Sequence, residues 1–260
     1  MKQTLSNQSV EKTLRIIETL ASSPTPMRLS ELARQVEMPS CTVLRMVGTL
    51  IEQGYAYQEE EGLRRYALTT RFLGIGQMAA EHINIREIAH PYLIRLSSLT
   101  GESSCLAISE NDAVRYLDVT EGNGSLITIR QRIGGSAPMH CTGSGKLFLM
   151  QYSTEKLKNY VSRNGLASLT VHTLTTLEDL QYDLNNCLKR GYALDDEECE
   201  IGMRCVATPI RDMQGNVVAA ISVSGPISRM TRLRYETEIV PQLLEAAHKT
   251  TRLVTGQKDA

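Results

Sequence analysis

Residues 28–54 read RLSELARQVEMPSCTVLRMVGTLIEQG, two short helical patterns joined by a sharp turn. Leu29, Leu32, Ala33 and Val36 fall at i, i+3, i+4 and i+7, one apolar face of a first helix. Val43, Val47, Leu50 and Ile51 repeat that spacing on a second. Between them Pro39 pushes Met38 out of the helical region, and Ser40 is placed as the N-cap of the second helix. Opposite its buried stripe lie Cys41, Arg45, Gly48, Thr49 and Glu52, with Thr42 at the shoulder. A helix that enters the major groove of DNA needs such a face, small near its start and carrying a cation. An ordinary helical hairpin shows the same periodicity, so the flanks decide.

Ser9-Val10 opens an earlier helix, with Val10, Leu14, Ile17 and Ala21 predicted to close a three-helix core. After Gly54, residues 55–58 and 63–68 read as two strands around the turn Glu59-Glu60-Glu61-Gly62. Three helices and a hairpin make a winged helix-turn-helix, mainly α with a β-hairpin wing. The wing carries Arg64 and Arg65, placed for phosphate beside three glutamates that blunt their effect. Arg28, Arg34, Arg45 and Arg71 complete the local cations.

Composition sets the frame for this reading. A chain of 260 residues with 42% hydrophobic content is long enough for two cores. Its net charge of -1 counts against a general DNA coater more than against a specific reader, whose contacts can be local. The opening MKQTLSNQS has no apolar core of a signal peptide, and no apolar run reaches membrane-spanning length, so a cytoplasmic chain without a membrane partner is expected. Cysteines 41, 105, 141, 187, 199 and 205 form no CxxC pair; reduced, partly buried thiols are expected, with a zinc site at Cys187, Cys199 and Cys205 as the minor alternative.

Residues 69–81 are predicted as a connecting helix weakened by Gly74 and Gly76. From Ile85 a helix follows, with Ile88, Tyr92, Leu93, Leu96 and Leu99 on its apolar side and Thr100-Gly101 as its end. Strands are predicted over 104–109, 114–119 and 126–130, a loop over 134–138, and a short helix from Gly143 to Met150. Two more helices, 154–163 and 176–190, lead to strands over 192–195, 204–210 and 217–223. Asp212 to Asn216 is the last hairpin turn, and a final helix runs over 231–253, interrupted near Pro241. Strands interleaved with helices and joined by hairpins give an α+β domain around a mainly antiparallel sheet.

In this order SVEKTLRIIETLA, LSELARQVEMPSCTVLRMVGTLIEQGY, HCTGSGK, GYALDDEECEIGMRCVATPI and AISVSGPISR resemble the IclR family of bacterial transcription regulators, over about Ser9 to Thr255. The resemblance implies a winged helix-turn-helix over 1–68, a linker helix over 69–83, and a GAF-like α+β effector and oligomerisation domain over 84–260. It further implies dimers or tetramers on palindromic double-stranded operator DNA, a small-molecule effector, no cofactor and no catalysis. Arg28, Ser40, Cys41, Thr42, Arg45, Thr49, Arg64 and Arg65 are the DNA-facing positions on this reading. The common family pattern has Lys then Ser where this chain has Ser40 then Cys41, which removes a phosphate-binding cation and turns a hydroxyl into a thiol. Arg45 is the residue suited to bidentate pairing with guanine.

The same resemblance assigns the effector pocket to Gly143, Ser144, Asp195, Met203, Cys205, Ser222 and Ser224, and expects a short carboxylate such as a keto or hydroxy acid. The chemistry is coherent. Ser222 and Ser224 alternate on one strand and so share a face, amides at a helix start attract anions, and Asp195 accepts a proton from a ligand hydroxyl. Two sharper motifs fail. TGSGK is no P-loop, because His140 and Leu147 stand where Gly and Ser or Thr are required. Glu197-Glu198-Cys199-Glu200 reads as a solvated acidic turn. Two other functions remain in view: a thiol hydrolase with Cys205 or Cys141 as nucleophile, His140 as base and Asp195 as orienter, and a DNA-bound thiol redox sensor.

Overall fold

The structure, a computed structural model, describes residues 7–59, 64–82, 84–122 and 131–256. It separates into two compact units, Met1–Ile83 and Asn84–Ala260.

The first unit is a winged helix-turn-helix. Helix α1 (Gln8–Ser22) is capped by the Asn7 side chain, which accepts from the amides of Ser9 and Val10. Strand β1 (Met27–Arg28) leads into α2 (Leu29–Gln35) and α3 (Ser40–Glu52). Strands β2 (Ala56–Gln58) and β3 (Arg65–Leu68) form the wing, and β1 pairs with β3 as a third strand that the hairpin reading omits. Two residues of backbone are too short to show a period, which is why β1 left no signal. Helix α4 (Arg71–His82) closes the unit.

Leu32, Ala33, Val36, Val43, Val47 and Leu50 are all buried in one cluster with Met27, Ala56 and Tyr66. The α1 face differs from the sequence reading. Ile16 and Leu20 are the buried residues, Ile17 is half-buried, and Val10, Leu14 and Ala21 face solvent. The helical period was right and its phase was one residue off, because Ile16, Ile17 and Leu20 fit either stripe. Ser40 is also displaced: Pro39 is the N-cap of α3, Ser40 is its first helical residue, and no side chain caps it.

In the second unit, α5 (Ile85–Thr100) ends at Gly101 in the left-handed conformation (φ 71°), where a Cβ would be strained. Leu99 is exposed, and Ala89, Leu93, Leu96, Ser97 and Thr100 form the buried stripe instead. Strands β4 (Ser103–Glu110) and β5 (Ala113–Thr120) follow; the predicted strand 126–130 lies outside the described residues. Residues 136–138, read as loop, pair with β5 as β6. Then come α6 (Gly143–Leu149), α7 (Thr154–Asn164), α8 (Leu177–Arg190), β7 (Ala193–Asp196), β8 (Met203–Arg211) and β9 (Val217–Pro226). The C-terminal stretch is a short α9 (Arg232–Arg234), a π-helical turn over Tyr235–Ile239, and α10 (Val240–Thr255) with Pro241 in its first turn. The Val240 amide donates back to the Tyr235 carbonyl across the π-helical turn, and Pro241, which has no N–H, follows with a φ already suited to a helix.

All described neighbours in the six-stranded sheet are antiparallel, in the order β6-β5-β4-β9-β8-β7. The period of two divides it into two cores. Leu106, Val206, Ile210, Ile221 and Val223 face α5 and α10. Cys105, Ala107, Ala207 and Ala220 face α6, α7 and α8. Small residues on that second face let α6 approach closely. Gly145 is the tightest point: a Cβ there would sit closer than 3.0 Å to the Cα and carbonyl oxygen of Met139 and to the Thr142 hydroxyl. Backbone cannot yield as a side-chain tip can. Gly145→Ala is therefore expected to lower the stability of this unit by about 2–4 kcal/mol, measured by urea unfolding of the full chain, whereas Gly74→Ala on α4, whose Cβ meets nothing within 4 Å, leaves this unit unchanged and the first unit unchanged or more stable.

Candidate functional site

The first unit presents one exposed polar face. Ser40, Cys41, Arg45 and Thr49 are exposed on α3 and Thr42 is half-buried at its start. The Thr49 hydroxyl donates to the Arg45 carbonyl at 3.1 Å, so its oxygen remains an acceptor and its proton is occupied. Leu44, half exposed beside Arg45, is an apolar member of this face that the sequence reading did not single out. Arg28 and Arg65 are register partners on β1 and β3, which puts both side chains on the same side of the wing sheet. Arg64 follows the wing turn at φ 43°. Among the described residues none of Arg28, Arg45, Arg64 and Arg65 has an ion-pair partner, so each cation stays available for an anion.

The second unit brings its predicted site residues to one face of the sheet. Across the strands Asp195 opposes Cys205, which opposes Ser224; one step on, Ala207 opposes Ser222 and Ser222 opposes Cys105. Gly143 lies over this face, with its Cβ position 3.5 Å from the Cys205 sulfur and 3.2 Å from Ala207 Cβ. Ser144 is buried at the same helix start, whose cap residue Thr142 accepts from the Gly145 amide. Met203 is two residues before Cys205 and shares its parity, at the end of the row.

Polarity at this face is incompletely satisfied. Asp195 is only 1% exposed; its Oδ1 accepts from the amides of Glu198 (2.9 Å) and Cys199 (3.2 Å), while Oδ2 has no partner. Ser222 and Ser224 flank the Cys205 thiol, yet neither hydroxyl has a well-formed hydrogen bond. Native structures rarely leave buried polar atoms so. Burial, and next the Glu198 carboxylate, push the Asp195 pKa up to about 7. Burial likewise pushes the Cys205 thiol up to about 12, so it is no nucleophile at neutral pH. His140 is turned away from the work of a base: its Nε2 meets the Ala167 carbonyl at 3.0 Å, and burial lowers its pKa.

What the sequence reading missed lies just behind the site. The Lys146 ammonium is buried and bound to Asp183 (2.7 Å), Glu198 (2.5 Å) and the Leu194 carbonyl (2.9 Å). Burial alone would lower the Lys146 pKa, but the two carboxylates bring the net direction up. Glu198 is therefore no solvated residue of an acidic turn; it is buried, and it anchors that turn to α6. Thr170 and Thr173 hold the turn from the other side by donating to the carbonyls of Glu197 and Glu198, both at 2.6 Å. On β5 the Tyr116 hydroxyl accepts from Gln131 (3.3 Å), whose carbonyl meets the Cys105 thiol. The three cysteines weighed for zinc go separate ways: Cys187 lies 3.4 Å from the Arg190 guanidinium, the Cys199 amide donates to Asp195, and Cys205 faces the serines.

The IclR helix-turn-helix domain matches residues 9–60, and the C-terminal domain of bacterial IclR transcriptional regulators matches residues 77–252. The chain belongs to the IclR family. Among its relatives are the transcriptional repressor IclR of Escherichia coli, 35% identical over 96% of this chain and 91% of that one, and the acetate operon repressor of Salmonella typhimurium, 34% identical over the same shares. The crystal structure of the Thermotoga maritima IclR protein superposes with a TM-score of 0.62 at 30% identity, covering 95% of this chain and 98% of that one. IclR-family members are transcription regulators with a DNA-binding and an effector domain, not enzymes, which removes the hydrolase reading.

The raised Asp195 pKa has a stability consequence with a definite sign. Between pH of about 4 and 7 the folded chain keeps a proton on Asp195 that the unfolded chain releases, so stability falls through that window as pH rises. Asn at 195 retains the acceptor for both amides and carries no charge. Asp195→Asn is expected to gain on the parent by on the order of 2 kcal/mol between pH 5 and pH 8 in urea unfolding; a gap that stays constant with pH would contradict a buried carboxyl titrating there.

Proposed function

We propose that this IclR-family regulator represses a catabolic operon and that a small organic acid, bound at the Asp195 face, alters its affinity for operator DNA. On this reading residues 1–68 read DNA, 69–83 link, and 84–260 bind effector and assemble the oligomer. The observation that carries the effector reading is the set of three buried, unpartnered polar atoms, Asp195 Oδ2, Ser222 Oγ and Ser224 Oγ, on adjoining strands of one sheet face. Two hydroxyls supply donors for a carboxylate, and the start of α6 at Gly143 lies over the same face, against Cys205 and Ala207. Asp195 accepts from a hydroxyl or hydrate at the ligand's other end. Bare carboxylate beside ionised Asp195 is repelled, which favours a keto or hydroxy acid oriented with its acid group toward the serines. The small side chains around the face suit a compact ligand.

The DNA reading places Arg45 and Thr42 at base edges and Arg28, Arg64 and Arg65 at phosphates. With Ser40 where the family often has a lysine, each half-site loses one phosphate contact. Exposed Val10 and Leu14 on α1, and Leu73 and Met78 on α4, support a homo-oligomer, dimer or tetramer, in which these apolar side chains are covered. No described helix is long and apolar enough to cross a membrane. A DNA reader works beside the chromosome, in the cytoplasm.

Fluorescence anisotropy against duplex DNA from the chain's own upstream region, with scrambled duplex as control at fixed salt, tests the proposal. Binding tighter to the upstream duplex by about 10³-fold or more is expected, with release or tightening by one member of a panel of short keto and hydroxy acids. Arg45→Ala is expected to cost about 1–3 kcal/mol and to relax specificity, whereas Arg64→Ala weakens both duplexes alike and lowers the salt slope by about one. Equal loss from both substitutions on both duplexes would sink the assignment of Arg45 to base reading. An upstream duplex bound no better than the scrambled one would overturn the reading of that region as an operator, and a full acid panel without effect would overturn the effector class.

A further inference from the structure

The face that carries Asp195 and the serines does not end at β9. Ser222 opposes Cys105 on β4; further along, Ala220 opposes Ala107, which opposes Tyr116 on β5. Cys105, Ala107, Tyr116 and Ala220 share one buried cluster, so the Tyr116 ring lies on the same side of the sheet as Ser222. Gln131 joins the two ends of this stretch. Its carboxamide nitrogen donates to the Tyr116 hydroxyl at 3.3 Å, and its carbonyl accepts from the Cys105 thiol. Burial keeps that thiol protonated, which turns the Gln131 carbonyl toward the sulfur and its nitrogen toward Tyr116. Both groups have hydrogen-bonding capacity to spare. Tyr116 is only 9% exposed, and its hydroxyl donates to no acceptor among the described residues. Burial also holds the proton on that oxygen, so it is a donor throughout the physiological range. The Gln131 amide has two N–H groups, and Tyr116 takes one of them.

We propose that Tyr116 and Gln131 are specificity-determining residues that hold a second carboxylate of the effector, so that the effector is a dicarboxylic keto or hydroxy acid. This rests on the reading of the Asp195 face as the effector site. Donors and acceptors are sorted along the sheet. Asp195 Oδ2, an acceptor, stands on the edge strand β7, Ser222 and Ser224 on β9, and the two spare donors on the β5 side. A carboxylate at the serines leaves its own hydroxyl or hydrate for Asp195. The far donors then need an acceptor from the rest of the ligand, and an anionic one forms the shorter and stronger bonds. Strand β5 is four spacings from β7, about 19 Å along the sheet, so repulsion of a second charge by ionised Asp195 is weakest there. Gln131 is partly exposed, which keeps water at that end for the charge. From Ser222 to the donors is one to two spacings, about 5–10 Å, which suits acid groups separated by about two to four carbons.

The test is isothermal titration calorimetry of the full-length protein with 2-oxopentanedioate and with 2-oxopentanoate, which differ only in the second acid group. The diacid is expected to bind at least about tenfold tighter. Tyr116→Phe removes the hydroxyl and keeps the buried ring. It is expected to cut that ratio to about threefold or less while leaving the affinity for 2-oxopentanoate unchanged. Gln131→Leu is expected to lower the ratio in the same direction. Because the ratio is taken within each variant, partial unfolding lowers both affinities alike and does not imitate the result. Equal affinities for the two acids in the parent chain overturn the assignment and leave the effector reading standing. So does a ratio that both substitutions leave intact. Binding of neither acid overturns this proposal, and it overturns the effector reading too only when the other short keto and hydroxy acids also fail to bind.

Discussion

The Lys146 ammonium organises the second unit. It is buried on α6, and its three short contacts reach α8 through Asp183, β7 through the Leu194 carbonyl, and the following turn through Glu198. An ion taken out of water is tolerated only when its donors are all used, and here three partners match three N–H donors. The triad is thus a geometric constraint more than a source of net stability. It fixes α6 against the end of β7 and so sets where Gly143 and Ser144 stand relative to Asp195. Glu198, once anchored, presents its own amide and that of Cys199 to the Asp195 carboxylate. The same carboxylate raises the Asp195 pKa by proximity. One buried cation therefore positions the site and, through its counter-ion, tunes it.

Legibility in the sequence followed the strength of local periodicity. Helices α2 and α3 each have one apolar stripe and a proline between them, and no other phase of either helix buries as much. Strand β9 also read correctly, since Ser222 and Ser224 interrupt an apolar run at a period of two. Helix α1 was ambiguous because its isoleucines and leucine serve two adjacent stripes, and the choice depends on α2 and β3, not on α1 itself. Strand β1 and strand β6 are too short to carry a period, and both exist because a longer partner strand lies beside them. Of the site, the rows of Asp195, Cys205 and the serines follow from alternation. The Lys146 triad does not, because its members are separated by 37 and 52 positions and a run such as EECE looks solvated until a buried cation is found opposite it.

Charge distribution reconciles a net charge of -1 with DNA recognition. Phosphate attraction is local at physiological salt, since charges farther apart than about 8 Å are screened. Arg28 and Arg65 sit as register partners, so their fields add, and on the proposed reading they face the duplex backbone, while acidic residues more than a screening length away contribute little there. Such a surface suits a protein that must leave non-specific DNA readily and whose residence at one sequence depends on a few base-edge contacts.

The unpartnered atoms at the Asp195 face also bound how strongly a ligand can act. Leaving a buried donor or acceptor unsatisfied costs about 1–3 kcal/mol, so on the proposed reading a ligand that pairs all three atoms is favoured over one that pairs none by at most roughly 3–9 kcal/mol. Converting a two-state population from about 1:99 to 99:1 requires a differential affinity of about 5.5 kcal/mol. On the proposed effector reading that span brackets the requirement, provided the satisfied arrangement belongs to only one of the regulator's states. A ligand that met the serines and ignored Asp195 would forgo part of that range and shift the population less. Reciprocity then carries the argument to the other unit: whatever factor the ligand imposes on operator affinity, operator DNA must impose on the ligand's.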